Sequence, residues 1–372
     1  MHVGTASGRE ANHRPRLALM GLVAAAVVTA GCSTDLSSGL TPPTSATPTH
    51  SSRAVTSSKP TPSAPDSSAA PTALWPLTAL PAPNGVNQRP AVLVKIDNVG
   101  GALPQQGVNS ADIVIEEPVE GGLTRLVAVF QSHNPGVVGP VRSARPVDAQ
   151  LTRMFGSSIL VFSGASNQEI GPVKADSHAV LVADDWGTAP EVFHRDPNRH
   201  GDHSLMADTD AAWNWALTHG AQAVAPQQGI PFTDSNQLAN PATDVSLDFY
   251  DTTAEWHFTA GKYRRTQNGE PDRTSDDGRI TADTVIIAQV STSTDPRFHD
   301  VLGHPTPIID FVTGGQVWVL RDGKVTPGRW QRANIDAPLD LTDDSGNPIG
   351  AKPGRTWIEL LPAPKTPVFT HS

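Results

Sequence analysis

The 372-residue sequence contains a single cysteine, Cys32. After that position no thiol remains, which excludes disulfides, thiolate metal sites and cysteine nucleophiles from the rest of the chain. Long apolar runs are also lacking, since Leu17–Ala30 is shorter than the about 20 residues that a membrane-spanning helix needs. Basic residues are scarce, with 27 Lys and Arg against 37 Asp and Glu. Such an acidic chain is a poor candidate for binding nucleic acid.

The beginning of the sequence has the three parts of an export signal. Arg9, Arg14 and Arg16 give a positive start, Leu17–Ala30 is apolar, and small residues precede Cys32. This order predicts a signal peptide at residues 1–31. A cysteine directly after the cleavage site accepts a thioether-linked diacylglycerol, so we expect a lipid anchor (palmitate among its acyl chains) on the extracytoplasmic face of the cell membrane. An uncleaved anchor with an incidental cysteine is the alternative.

Residues 32–83 are predicted to form a spacer. Of the 41 residues from Ser33 to Ala73, 26 are Ser, Thr or Pro, and no large apolar cluster interrupts them. Such a segment buries too little surface to offset the entropy lost on ordering. We therefore expect a disordered tether between the lipid and the folded part. The composition leaves the oligomeric state and any glycosylation of the tether open.

The remaining sequence predicts an α+β fold with two domains, and the first is assigned to residues 84–238. Buried strands are expected at PAVLVKID, ADIVI, LTRLVAVF and SILVF. Helices are expected to open at Pro146, near Asn167 and after the N-cap residue Asp208. Strands and helices in this order indicate an α/β layer domain with a mixed sheet.

Residues 239–372 are predicted to form a β-rich C-terminal domain. Strand patterns follow one another there, separated by turn dipeptides such as Asp322-Gly323. The segment from Gln316 to Arg329 reads as a hairpin around that turn. Four tryptophans of these strands are expected to fill the core: Trp256, Trp318, Trp330 and Trp357.

The charged residues that could take part in binding or catalysis are concentrated in the first domain. The segment EEPVEGGLTR places Glu116, Glu117 and Glu120 before a Gly-Gly turn and Arg125 just after it. If the two flanking strands pair, Glu117 and Arg125 face each other across the ladder.

Two further segments add arginines. In GPVRSARP, Arg142 and Arg145 stand directly before the helix opened by Pro146, where free backbone N–H groups favour an anion. In FHRDPNRHGDHS, Arg199 and His203 are the residues of interest. Guanidinium groups bind carboxylates and phosphates with two parallel hydrogen bonds.

Three explanations of these charges stay open. The arginines could neutralise the glutamates in an internal network, since buried charges need partners. They could line a pocket for an external anion, and the two roles can coexist. Glu117, with Glu120 or Asp112, could also form a catalytic acid–base pair, with His203 as a further candidate.

A metal site and a serine nucleophile are less favoured. Four residues of the third segment could bind zinc with Glu120, but their spacing matches no helical histidine pair: His194, His200, Asp202 and His203. We therefore expect no metal and no cofactor. The segment SGAS lacks the full G-x-S-x-G pattern, and Ser166 with Glu169 is typical of a capping box.

At these same motifs the chain resembles the YerB-like family of bacterial lipoproteins, whose function is unknown. The matching runs are RPAVLVKIDN, PQQGVNSADIVIEEPVEGGLTRLVAVFQS and GPVRSARPVDAQL. A weaker match is FHRDPNRHGDHSL, where Asp202-His203-Ser204 stands in place of the family's Pro-His-Asn. The resemblance covers residues 85–210 and implies a separate carboxy-terminal domain, but no reaction.

The sequence therefore predicts an extracytoplasmic lipoprotein that binds an anionic cell-envelope ligand or partner through Arg125, Arg142, Arg145 and Arg199. Its expected partners are the membrane, through the lipid on Cys32, and a cell-wall carboxylate or phosphate. A wall-modifying hydrolase using Glu117, Glu120 and His203 is one alternative, and a non-catalytic envelope assembly factor is another.

Overall fold

A computed structural model describes residues 73–236, 239–300 and 303–370. The predicted signal peptide, Cys32 and the tether up to residue 72 lie outside the described residues. Within the described ranges no helix is long and apolar enough to span a membrane.

The first half of the described chain alternates strands and helices. Its strands are β1 (Ala91–Asp97), β2 (Ile113–Pro118), β3 (Thr124–Phe130), β4 (Val137–Val138), β5 (Ser158–Phe162), β6 (Val180–Ala183), β7 (Phe193–Arg195) and β8 (Leu205–Asp208). Its helices are α1 (Asp148–Arg153), α2 (Asn167–Asp176) and α3 (Thr209–Thr218). Single 3-10 turns lie at Gly100–Ala102, Val108–Ser110, Glu120–Gly122, Asp184–Trp186 and Gly201–Ser204.

Among its described residues the second half contains strands and no helix, which confirms the β-rich prediction. The first group comprises β9 (Asn240–Pro241), β10 (Asp244–Asp248), β11 (Thr253–Thr259), β12 (Lys262–Gln267), β13 (Glu270–Pro271), β14 (Arg273–Thr274), β15 (Gly278–Arg279) and β16 (Thr281–Ala282). The second group comprises β17 (Thr284–His299), β18 (Pro305–Asp310), β19 (Gly315–Arg321), β20 (Lys324–Gln331), β21 (Asp340–Asp343), β22 (Thr356–Pro362) and β23 (Val368–Thr370).

One mixed sheet of twelve strands contains elements of both halves. Its main order is β21-β20-β19-β17-β22-β2-β3-β1-β5-β6. Strand β22, near the end of the chain, pairs in parallel with β17 on one side and with β2 on the other. The predicted first and second domains therefore share backbone hydrogen bonds in one continuous sheet.

A second sheet, with the order β13-β12-β11-β10-β23, is formed by the second half alone. Its buried Trp256 and Tyr263 belong to the same apolar core as Val285 of β17 and Trp357 of β22. Three of the four tryptophans expected in the core are at most 1% exposed: Trp256, Trp330 and Trp357. The fourth, Trp318, is only partly buried and packs against the core that contains Trp256 and Trp357. The predicted hairpin is confirmed, with Arg321 opposite Lys324 across the turn.

Helices α2 and α3 start where the sequence indicates, whereas α1 starts two residues after the predicted Pro146. Ser166 and Glu169 form the predicted capping box of α2, and Asp208 caps α3 through the backbone N–H of Ala211. Helices α1 and α2 contribute to the core on one face of the large sheet, while α3 contributes to the core on the other.

The folded part begins earlier than the sequence predicts. Residues 73–83, assigned above to the tether, form a turn in which Leu74 pairs with Pro81. Leu77 within it is completely buried in the core that α1 also covers. Leu77 comes soon after the Ser-, Thr- and Pro-rich tract, so its place along the chain gave no sign that it is buried. The predicted end of the tether at residue 83 was therefore about ten residues too late.

Candidate functional site

The predicted site residues lie at one edge of the large sheet. Strands β1, β2, β5 and β6 run in the same direction, and β3 runs against them between β1 and β2. The carboxyl ends of the four strands and the beginning of β3 therefore share an edge. In open sheets with parallel strands, ligands bind outside this carboxyl edge.

Arg145 is enclosed by two carboxylates. Its Nε and Nη2 donate to the two oxygens of Glu120, both at 2.7 Å, and Nε also lies 3.1 Å from Glu169 Oε1. Thr306 of β18 adds its hydroxyl at 2.5 Å from Glu120 Oε1. Burial alone would raise the pKa of Glu120, but the hydrogen bonds and charge of Arg145 lower it. Arg145 is thus the centre of an internal ion cluster.

Glu117 is paired with a residue that sequence reasoning missed. It lies opposite Arg125 across the β2–β3 ladder, as predicted, yet its salt bridge is to Lys95 of β1. Lys95 also lies 2.9 Å from Asp148 Oδ1 of α1, and all three side chains are fully buried. Burial, which outweighs the charge of Lys95, raises the pKa of Glu117 to about 7. The available signal for Lys95 was a lysine that follows an apolar run within the predicted buried strand PAVLVKID.

Arg142 and His203 share the buried carboxylate of Asp97. Arg142 Nε donates to Asp97 Oδ2 at 2.8 Å, and His203 Nδ1 lies at the same distance from that oxygen. The outer nitrogen Nη1 of Arg142 is 3.1 Å from Asp202, whose side chain is 79% exposed. Arg142 is therefore tied to the protein on one side and to a surface carboxylate on the other.

Arg125 differs from its neighbours because, in the part of the chain that the structure describes, no carboxylate lies within 4 Å of it. Its half-buried guanidinium donates to the carbonyl of Ser143 at 3.1 Å. Burial and the nearby charge of Arg145 lower the pKa of Arg125 to about 10. The charges of Glu120 and Asp97 act in the opposite direction but do not offset this lowering.

Arg199 does not join this group. Its Nη1 donates to the carbonyl of Ala102 at 2.9 Å, its Nη2 donates to the carbonyl of Pro104, and its Nε lies 3.3 Å from Asp196. These contacts hold two loops together.

Glu116 belongs to a second buried network, which joins the two halves. It accepts from Arg265 Nη2 of β12 at 2.6 Å and lies beside Glu359 of β22 in the ladder. Glu359 accepts from the indole N–H of Trp256 at 2.8 Å. Burial, followed by the charge of Glu116, raises the pKa of Glu359 well above its ordinary value.

Two geometric predictions are wrong. Asp112 precedes β2 and Glu117 lies near its end, about 16 Å apart at the rise of an extended strand, so they form no acid–base pair. The expected free N–H groups before α1 are not free, because Asp148 Oδ2 accepts from the backbone N–H of Arg145 at 2.7 Å. The helix itself, Asp148–Arg153, is a short one of six residues.

The catalytic candidates have limited access to solvent. Glu117 is fully buried and Glu120 is 6% exposed, whereas the side chain of His203 is 31% exposed. Among the described residues, no group of three or more His, Cys, Asp and Glu is arranged to hold a metal ion. His194 and His200 are exposed.

The fold and the site define an α+β protein with a charged cluster, largely paired internally, at the carboxyl edge of its large sheet. Two family models match: "Protein of unknown function (DUF3048) N-terminal domain" at residues 77–230 and "Protein of unknown function (DUF3048) C-terminal domain" at residues 244–358. The chain belongs to this YerB-like family of unknown function, which confirms the resemblance stated from its motifs.

Comparisons with the sequence and with the crystal structure of YerB from Bacillus subtilis agree with that assignment. The chain is 28% identical over 301 residues to the protein named "Putative lipoprotein YerB" of Bacillus subtilis (strain 168), across 77% of this chain and 86% of the relative. It is also similar to the crystal structure of YerB protein from Bacillus subtilis, with a TM-score of 0.69 and 25% identity. That match covers 80% of this chain and 100% of the other, and it supports the α+β fold.

Proposed function

We propose that this protein is held to the outer face of the cell membrane by a lipid on Cys32 and binds an anionic group of the cell envelope. The anchoring part rests on the signal-like residues 1–31, on the position of Cys32 and on the name of the Bacillus relative. The binding part rests on the carboxyl-edge cluster, and the single observation that carries it is that Arg125, among the described residues, has no carboxylate within 4 Å and donates only to a backbone carbonyl.

The proposed anion site is narrower than the one predicted from the sequence. Arg145 and Arg199 are occupied by internal partners, which leaves Arg125 and the outer nitrogen of Arg142. A carboxylate or phosphate that reaches Arg125 compensates a charge that the protein leaves without a carboxylate. The same ligand can replace Asp202 at Arg142, since Asp202 is largely in solvent and loses little by returning to it.

A hydrolase that uses Glu117 or Glu120 has less support. Each carboxylate already contacts a buried cation, and neither is open to a substrate. His203 is oriented by its contact with Asp97, but that contact alone does not define where a substrate would bind.

Calorimetric titration of the full chain with inorganic phosphate and with a muramyl peptide tests the proposal. We expect at least one probe to bind, and Arg125→Gln to weaken its binding by about 1.5–3 kcal/mol, the range for hydrogen bonds to charged groups. Asp202→Ala should tighten binding, because it removes the carboxylate that competes for Arg142. Arg329→Gln is the control, since this exposed arginine lies on β20, five strands away from β3 in the sheet.

The proposal is wrong if neither probe binds the wild-type chain. It is also wrong if a probe binds Arg125→Gln and the wild type equally. A lower affinity in Asp202→Ala would show that Arg142 is not part of the anion site.

A further inference from the structure

A lysine, a glutamate and an aspartate meet in the core beneath α1. Lys95, Glu117 and Asp148 come from β1, β2 and α1, and each side chain is 0% exposed. The Lys95 ammonium contacts Glu117 Oε1 and lies 2.9 Å from Asp148 Oδ1. A reactive amine and two carboxyl groups are thus held together away from water.

The surroundings of this triad are apolar on the sheet side. Lys95 lies opposite Val127 in the β1–β3 ladder, and Val127 belongs to the core cluster that contains Val147 and Leu151 next to Asp148. Burying three charged groups in such a place carries a large desolvation cost. One oxygen, Glu117 Oε2, has no hydrogen-bond partner among the described residues. As an ion triad the arrangement is therefore incompletely compensated.

We propose that Lys95 and Asp148 form an intramolecular amide bond, with Glu117 transferring the proton. The bond between Lys95 Nζ and Asp148 Cγ forms, and the bond between Cγ and one carboxyl oxygen breaks. The two hydrogens that the ammonium nitrogen loses leave with that oxygen as one water molecule. The reaction consumes one positive and one negative charge and needs no oxidant, cofactor or second substrate.

Asp148 is the electrophile because its carboxyl group is held and polarised. Its Oδ2 accepts from the backbone N–H of Arg145 at 2.7 Å, while Oδ1 faces the amine. Glu117 fits the proton-transfer role because it touches Lys95 Nζ directly and its pKa is raised to about 7, so that both of its protonation states are accessible near neutral pH.

The amide is more favourable in this buried position than the ion pair of Lys95 and Asp148. An amide replaces two buried charges, and the enclosed site keeps water away from the new bond. Because no cysteine follows Cys32, a disulfide cannot supply a covalent link in the folded part. The amide would connect β1 to α1 across a sequence separation of 53 residues.

Peptide mass spectrometry of the full chain tests this inference independently of the anion site and the lipid. After denaturation and trypsin digestion, we expect no cleavage after Lys95. A branched species should join the peptide containing Lys95 to Ser143–Arg153, with a mass one water below the sum of the two. Glu117→Ala should abolish it while leaving the amine and the electrophile in place.

Asp148→Ala should also return two linear peptides, and both substitutions together should behave as either one. Lys262→Arg is the matched control, because Lys262 pairs with Asp283 at 3.2 Å at an exposed position. It should leave the branched species unchanged. Complete cleavage after Lys95 in the wild-type chain, with Ser143–Arg153 recovered as a free peptide, overturns the proposal whatever the variants do.

Discussion

At the scale of single residues, the cluster contains both well-paired and poorly compensated charges. Arg145 has two carboxylates, whereas Arg125 has none within reach among the described residues. Glu359 is an acid in the opposite situation, because it is fully buried beside another glutamate. Such a group has a measurable effect on how stability depends on pH.

Glu359→Gln should make the protein more stable at alkaline pH. The folded pKa of Glu359 is raised, so its contribution to stability is complete below the ordinary carboxyl range and is lost as the pH rises through the folded pKa. Glutamine keeps the acceptor for the Trp256 indole and cannot ionise. Urea unfolding from about pH 5 to about pH 9 should show a flatter profile for the variant.

The control for losing one carboxylate is Glu270→Gln, at an exposed position on β13. If Glu359→Gln falls with pH as steeply as the wild type, then Glu359 ionises in the folded protein without cost and the argument for its burial fails.

The side chains at the site show how far a sequence can be read. The opposition of Glu117 and Arg125 was predictable, because two strands joined by a short turn pair in a register that the turn determines. The residue that forms a salt bridge with Glu117 was not predictable. Lys95 reaches Glu117 from β1, on the far side of β3, and that strand order follows from packing rather than from spacing along the chain.

At the scale of elements, the Gly-Gly turn between β2 and β3 positions the whole cluster. Both glycines have positive φ, 69° at Gly121 and 74° at Gly122. Their surroundings differ, since a Cβ on Gly122 would lie 2.8 Å from the backbone nitrogen of Asp251, whereas a Cβ on Gly121 would meet nothing within 4 Å. The turn therefore needs two glycines for backbone conformation and one of them also for space.

Gly122→Ala should destabilise the protein more than Gly121→Ala. The left-handed conformation alone costs an alanine about 1–2 kcal/mol. Displacing the Asp251 backbone adds about 1–3 kcal/mol at Gly122. Chemical unfolding of the two variants measures the difference, with Gly121→Ala as the matched control. Equal losses would show that the segment around Asp251 yields freely and does not support the turn.

Capping residues and turns were the most predictable elements. Ser166, Asp208 and the Asp322-Gly323 turn each act through neighbours a few residues away, so local sequence contains the whole signal. The start of the fold was less predictable, because Leu77 is held by contacts with distant residues of the core.

At the scale of the whole molecule, the predicted halves are joined by hydrogen bonds. Strand β22 pairs along four residue positions with β2 and along seven with β17. The buried pair of Arg265 and Glu116 crosses between the same halves. No composition shift or turn signal near residue 240 reveals this, since the pairing of strands more than 200 residues apart depends on the assembled fold.

We expect the two halves to unfold together. Leu341→Ala, in the edge strand β21, removes a buried side chain from the second half and should cost about 2–5 kcal/mol. Hydrogen exchange followed with increasing urea should show the amides of β1 losing protection at the same lowered concentration as those of β19. Unchanged protection of β1 in the variant would mean that the halves are separate folding units.

The position of β22 in the sequence also determines when the large sheet can be completed during synthesis. Polypeptides emerge from the ribosome amino end first, and β22 begins at residue 356. Until it arrives, β2 and β17 each present an unpaired strand edge, which is a template for association with other chains. Pairing between segments so far apart in sequence is slow. The nascent protein therefore depends on protection from aggregation until β22 has been made.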